Sequence, residues 1–258
     1  MFQTEGDQRS DRHNRILAGY LALVAGFVNS AGFILVGSFT SHVTGNVGRL
    51  ADNFALGHRA AAVLAATMIG AFFLGAFLAS MAIESKLLSR RPYVYGALLL
   101  GEAGLLGAFF VLARLMDTTN PRYLDSLALL LCAAMGLQNS LVTRLSGAVV
   151  RTTHLTGVVT DLGIEAARWF RFWRAHVSRR MQIRLTVGGS PPARPPHAPK
   201  AILLLTILGA FVLGSTAGAI LAVRLGHASL AVPLVLLLGG GLAAIMSGWG
   251  WLGEEARK

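Results

Sequence analysis

A chain of 258 residues with 54% hydrophobic and 14% charged residues and a mean hydropathy of +0.59 lies off the balance of a water-soluble domain and reads as a membrane protein. The net charge of +11 would suit a nucleic-acid binder, but the basic residues gather in alternate loops, which excludes that class in favour of membrane orientation. Cys132 is the only cysteine, so an intramolecular disulfide is excluded, and its place in an apolar run reads as a core thiol.

Residues 1–15 form a charged tail of mixed sign that runs into the first apolar stretch without a small-residue cleavage motif, so that stretch reads as a retained anchor. Six stretches of spanning length follow along the chain, at 16–37, 60–83, 93–115, 124–145, 201–223 and 228–248. After the first comes SHVTGN (41–46) and an amphipathic run, NVGRLADNFALG, that closes on Gly57 as a C-cap. After the fourth comes THLTGV (153–158), then the basic helix EAARWFRFWRAHVSRRMQIR and the Pro-rich linker GGSPPARPPHAPK. Residues 249–258 form the C-terminal tail.

Of the 23 Lys and Arg residues, 18 fall in the N-terminal tail, the loop holding Lys86, Arg90 and Arg91, the segment from Arg144 to Lys200, and the C-terminus. Because basic loops stay cytoplasmic, this asymmetry selects six spans with both termini in the cytoplasm. In the basic helix, Arg168, Arg171 and Arg174 interleave with Trp169 and Trp173, a pattern for the headgroup layer of an anionic membrane; a solvated positive-inside loop with an interfacial anchor is the plainer alternative.

The chain also repeats itself. GFVNS (26–30) is echoed by GLQNS (136–140), SHVTG by THLTG, TMIGAFFLG (67–75) by TILGAFVLG (206–214) and LLLGEAG (98–104) by LLLGGGL (236–242). Helices one to three (16–115) thus repeat as four to six (124–248), the second copy interrupted by an insertion at 166–200. An odd number of spans per copy makes the halves inverted, the architecture of many secondary transporters. The expected fold is all-α and polytopic, six transmembrane helices as two inverted three-helix repeats.

In this topology the motifs start on opposite faces of the membrane, Thr44 and Gly45 outside and Thr156 and Gly157 inside, and two half-helices capped by the threonines would aim their N-termini toward the midplane. The candidate solute-binding set is Asn29, Ser30, His42, Thr44, Gly45, Asn46, Asn139, Ser140, His154, Thr156, Gly157 and Asp161. Ordinary helix capping explains the Thr-Gly pairs equally, and polar side chains in spans either join helices or line a path. A His42–His154 metal pair is disfavoured because the motifs begin on opposite sides.

Glu102 stands in the third span with LLLG before it and AGLLG after. An ionised side chain at mid-bilayer costs about 2.5 to 3.5 kcal/mol, which the surrounding Leu, Phe and Val residues offset at about 0.3 to 0.6 each. It reads either as a proton-coupling or solute-contacting carboxyl or as a structural hydrogen-bonding group. In the fifth span Gly214 and Gly218 form a GxxxG packing face.

GFVNSAGFILVGSFTSHVTGN and AMGLQNSLVTRLSGAVVRTTHLTGVVTDLG resemble the YoaK-like family of bacterial inner-membrane proteins, and the resemblance runs from about Arg15 to Trp249. It implies a multi-pass protein of the bacterial inner membrane and brings no substrate, cofactor or catalytic residue; that family often has aspartate at the place of Asn29. No nucleophile with its base, metal-ligand cluster or Gly-Lys phosphate loop stands in the sequence, so no enzyme and no cofactor is expected. The expected function is a small secondary transporter or permease for a polar or anionic solute, with a non-transporting lipid-binding or regulatory module as the alternative.

Overall fold

The computed structural model describes residues 11–85, 93–115, 120–146, 150, 152–182 and 198–255, and among these the chain is helical with no strand. The basic loop residues Lys86, Arg90 and Arg91, most of the N-terminal tail and of the Pro-rich linker, and the last three residues lie outside them.

The helices are α1 (Asp11–Val36), α2 (Val43–Ala55), α3 (Arg59–Glu84), α4 (Val94–Leu115), α5 (Pro121–Leu145), α6 (Leu155–Gln182), α7 (Ala198–Leu225) and α8 (Ala231–Glu255), with a 3-10 turn, Gly226–Leu230, between the last two. Among the described residues five stretches are long and apolar enough to cross a membrane. Four of them are α1, α3, α4 and α5. The fifth, Ala198–Met246, has 49 residues and takes in α7, the turn and most of α8.

Boundaries follow local chemistry. Asn120 caps α5 by accepting the Arg122 N–H at 3.1 Å, with Pro121 in the first turn, where its missing N–H costs nothing. Gly57, at φ +77°, closes α2 in a Schellman motif, the His58 N–H bonding Asn53 O at 2.8 Å and the Gly57 N–H bonding Phe54 O at 3.2 Å. The expected C-cap glycine is therefore just past the helix end. The run after THLTG leads into the basic helix as one continuous α6. With no Pro or Gly breaker after Gly163, α6 runs unbroken for 28 residues. The last residues of the linker, Ala198 to Lys200, belong to α7, whose first turn tolerates Pro199.

α1 packs along α7, α3 along α5 and α4 against α8, while α1 and α5 meet at the centre. Over their most apolar windows α1 is 56% and α5 61% buried, against 22% for α3, which makes the first two the axis of the bundle. Their facing side chains, Leu17, Leu21, Val24 and Val28 on α1 and Leu131, Met135 and Leu141 on α5, are fully buried. Apolar residues on α3 (Phe73, Leu78, Met81), α7 (Leu213, Val223) and α8 (Val235, Met246) face outward. Such an apolar exterior suits lipid and not water.

The crossings are made by glycine. A Cβ on Gly26 would overlap the Phe211 carbonyl oxygen of α7, and one on Gly214 the Leu23 carbonyl of α1. At the second crossing Gly136 meets the Phe72 carbonyl of α3, and Gly75 meets the Ala133 carbonyl of α5. Backbone thus lies directly on backbone, which gives dispersion contact where no hydrophobic effect drives helices together. Each glycine of the GFVNS and GLQNS echo stands at one of these contacts. Interhelical hydrogen bonds add Gln138 Nε2 to Leu21 O at 2.9 Å and Ser215 Oγ to Gly26 O at 3.2 Å, each worth roughly 0.6 kcal/mol in such surroundings. An Arg144–Glu84 ion pair joins the ends of α5 and α3.

Candidate functional site

The two polar motifs follow the two axial helices and are held in the same way. α1 ends with Gly37 in the left-handed region at φ +70°, turning the chain into Ser38–His42. Asn29, about two turns before the end of α1, reaches that segment: its Oδ1 accepts the Ser41 hydroxyl at 2.8 Å and the Ser41 N–H at 3.4 Å. In the second motif Asn139 Oδ1 accepts the Thr153 hydroxyl at 2.7 Å. Asn29 and Asn139 are the echoed asparagines, and Ser41 and Thr153 open the echoed pentapeptides, so one clamp is built twice.

Each clamp presents a bare helix N-terminus. The α2 ladder begins with the Asn46 N–H on His42 O at 3.0 Å, leaving the N–H groups of Val43, Thr44 and Gly45 without acceptors inside the helix. The α6 ladder begins with the Val158 N–H on His154 O at 3.2 Å and frees those of Leu155, Thr156 and Gly157. The expected threonine caps are not present. His42 holds the α2 cap position without a side-chain cap bond, and the hydroxyls that could have capped one residue earlier, on Ser41 and Thr153, are engaged by the asparagines.

Both N-termini open on one cavity of about 380 Å³, within the roughly 300–1,000 Å³ common for small-ligand sites. Ser41 to Gly45 line it from the first motif, Thr153 to Thr156 from the second, and Phe72 of α3 from the side. The two motifs thus line one cavity, each from its own side. His42 and His154 are both among its lining residues. Among the described residues no three His, Cys, Asp or Glu side chains gather at one point.

Among the described residues the lining carries no carboxylate, lysine or arginine, and the partial positive charge of two helix N-termini and the threonine hydroxyls contribute to its polarity. His42 stacks on Phe39 at 4.8 Å between ring centroids, and Phe39 on Phe33 at 4.3 Å. Partial burial holds its pKa below the usual 6.5, so it is neutral at pH 7. In the second motif the place of Phe39 is taken by Arg151, and the His154 ring lies over Gly157, where a Cβ would come within 2.6 Å of Nδ1.

The remaining candidates are dispersed. Asn46 is buried in the first turn of α2, and Ser30 is half-buried on α1. Ser140 shares a 2.8 Å hydrogen bond with Ser80 and so ties α5 to α3. Asp161 is not at the cavity; it faces Lys200 of α7 at 3.5 Å. Lys200 also reaches Glu165 at 3.5 Å, and Glu165 accepts from Arg168 at 2.7 Å.

Glu102 does not line the cavity either. It is fully buried on α4, and neither carboxylate oxygen has a hydrogen-bond partner among the described residues. Tyr20 of α1 donates its hydroxyl to Leu236 O of α8 at 2.6 Å. Gly240, the echo of Glu102, is glycine for a packing reason, since a Cβ there would overlap the Tyr20 hydroxyl.

Sequence reasoning passed over Ser41, Thr153 and Phe72. The first two were legible as the opening residues of the echo; Phe72 carried no signal. The basic half of α6 stands clear of the bundle, with Arg168, Trp169, Arg171, Trp173 and Arg174 all exposed.

No curated protein and no solved structure is significantly similar to this chain. One family does match, over residues 17–245, which takes in both glycine crossings, both clamps and the cavity. The chain belongs to that family, described as a protein of unknown function, DUF1275.

Proposed function

We propose that the protein is a small secondary transporter or permease of the bacterial inner membrane, moving a small polar or anionic solute through the cavity between the α2 and α6 N-termini. The observation that carries this is the meeting of two like motifs, one after each axial helix, in a single site lined by free N–H groups and hydroxyls. Reading Ala198–Met246 as two crossings broken at Gly226–Leu230 gives six spans, an even number that puts both termini on one side, and the basic loops favour the cytoplasm as that side. Two inverted copies, α1–α4 and α5–α8, then account for the matched crossings and clamps, and place the cavity near mid-membrane as in other inverted-repeat carriers.

The clamps fix the helix N-termini, the free N–H groups and hydroxyls replace water around the solute, and movement of one half against the other exposes it to either side. Glu102, buried on α4 without a hydrogen-bond partner among the described residues and away from the cavity lining, is the proton-coupling candidate.

The test is cysteine accessibility in a Cys132→Ser background, with single cysteines at Thr44 and Thr156 labelled by an impermeant thiol reagent from each side of oriented vesicles. Labelling of both from both sides, or a switch of side with conditions, is expected. Labelling of Thr44 from outside only and Thr156 from inside only under every condition would refute a shared path. For coupling, Glu102→Gln is expected to abolish the pH dependence of uptake once a transported solute is in hand; unchanged uptake and pH dependence would remove Glu102 from the mechanism.

A further inference from the structure

α6 joins two regions the sequence held apart. Its first turn, with Leu155 and Thr156, lines the cavity, and its far half carries the arginines and tryptophans, so one rigid rod of about 42 Å connects them. At about 100° per residue, Trp169, Phe170 and Trp173 fall on one side of the rod and Arg168, Arg171 and Arg174 on the other. Trp169 is 38% exposed, Phe170 59% and Trp173 62%, so the bundle does not use this aromatic face. An amphipathic helix with aromatics on one face and arginines on the other fits the headgroup layer of an anionic leaflet, rings at the acyl boundary and guanidinium groups on lipid phosphates.

Between the two ends the rod is pinned. Glu165 and Asp161 both face Lys200 in the first turn of α7, and Glu165 is 1% exposed. The pin lies roughly 15 Å along the rod from its cavity end, so movement of the basic end is transmitted to the cavity end.

We infer that the exposed half of α6 docks on anionic phospholipid and that this docking sets the position of the α6 N-terminus in the cavity. The inference rests on the cavity being the working site, and its lipid half stands without transport.

The test uses the full chain in nanodiscs, with Arg171→Gln and Arg174→Gln as the perturbation, because Arg168 is spoken for by Glu165. In a W249F/W251F background, emission from Trp169 and Trp173 is expected to be quenched by chain-brominated phosphatidylglycerol. Quenching by brominated phosphatidylcholine in discs without phosphatidylglycerol should be several-fold weaker. The docked-to-undocked ratio should fall about fivefold per arginine removed. Labelling of a cysteine at Thr156 in a Cys132→Ser background is expected to change at least about threefold between phosphatidylcholine discs and discs containing phosphatidylglycerol, and to lose that change in the arginine variant.

Quenching independent of phosphatidylglycerol and of the arginines overturns the docking. Lipid-dependent quenching with unchanged labelling at Thr156 overturns the transmission. If labelling at Thr156 follows lipid while sidedness tests show no shared path, the transport reading fails and this inference stands.

Discussion

The Asn29–Ser41 clamp gives the sharpest quantitative expectation. Both residues are buried, at 3% and 7% exposure, and the 2.8 Å hydroxyl bond is supplemented by a weak 3.4 Å bond from the Ser41 N–H. Asn29→Ala leaves two buried donors without an acceptor, at a cost of about 1–3 kcal/mol. Ser41→Ala removes the stronger donor and leaves the weaker one paired. In a double-mutant cycle the hydroxyl bond alone should appear as a coupling of about 1 kcal/mol, a factor of roughly five in the unfolding constant. Asn139 and Thr153 make a bond of similar length, 2.7 Å, but both are only half-buried, so water can replace the lost partner and the coupling should be about half as large. Equilibrium unfolding in mixed micelles measures both cycles. Additivity within about 0.3 kcal/mol at Asn29–Ser41, or a larger coupling in the second pair, would refute the assignment of these asparagines as clamps. The same variants report locally, since breaking one clamp should speed labelling of a cysteine at its own motif, Thr44 or Thr156, and leave the other unchanged.

At the α3–α5 crossing, Gly136→Ala must move backbone, because the added methyl would overlap the Phe72 carbonyl; a loss of about 1–3 kcal/mol is expected, whereas Gly70→Ala in α3, with open space around it, should be neutral or slightly stabilising by thermal unfolding. For His42 the folded pKa lies below 6.5, so the unfolded chain binds the proton more readily and stability falls as pH drops through 6.5 toward the folded value. Thermal unfolding between pH 7.5 and 5.5 should show a small decline of this origin that His42→Gln removes, the ring's partial exposure keeping it small; a slope unchanged in that variant would assign the decline to other groups. Gly240→Ala should displace Tyr20 from Leu236 and lower thermal stability, while Tyr20→Phe, which loses only a 2.6 Å hydrogen bond, should cost less.

Helix existence was legible because apolar runs of spanning length leave few alternatives, and observed ends differ from expected ones by a few residues where caps and turns decide them. The echoes were legible as well, and the structure gives their asparagines and glycines the same tasks in both places. What could not be read was which residues line the place where the motifs converge. Which way a loop folds after its helix depends on contacts more than a hundred residues away, such as those of Gly26 with Phe211 and Ser215, which no local pattern encodes. Asp161 misled for a related reason: its neighbours in sequence are the motif, but its neighbour in space is Lys200, brought in by α7. The change of composition at Glu165 marks where α6 leaves the bundle and not where it ends.

The glycine crossings carry a mechanical meaning. Where a carbonyl of one helix occupies the place of a missing Cβ on the next, the distance between the two axes is fixed by backbone contact, while little side-chain bulk resists a change of angle. Interdigitated leucines would do the reverse, locking the angle through many small ridges. Two such contacts, Gly26 on Phe211 and Gly136 on Phe72, stand on the two axial helices. Each sets the spacing of its helix pair at one point, which is the contact a change of tilt would leave in place.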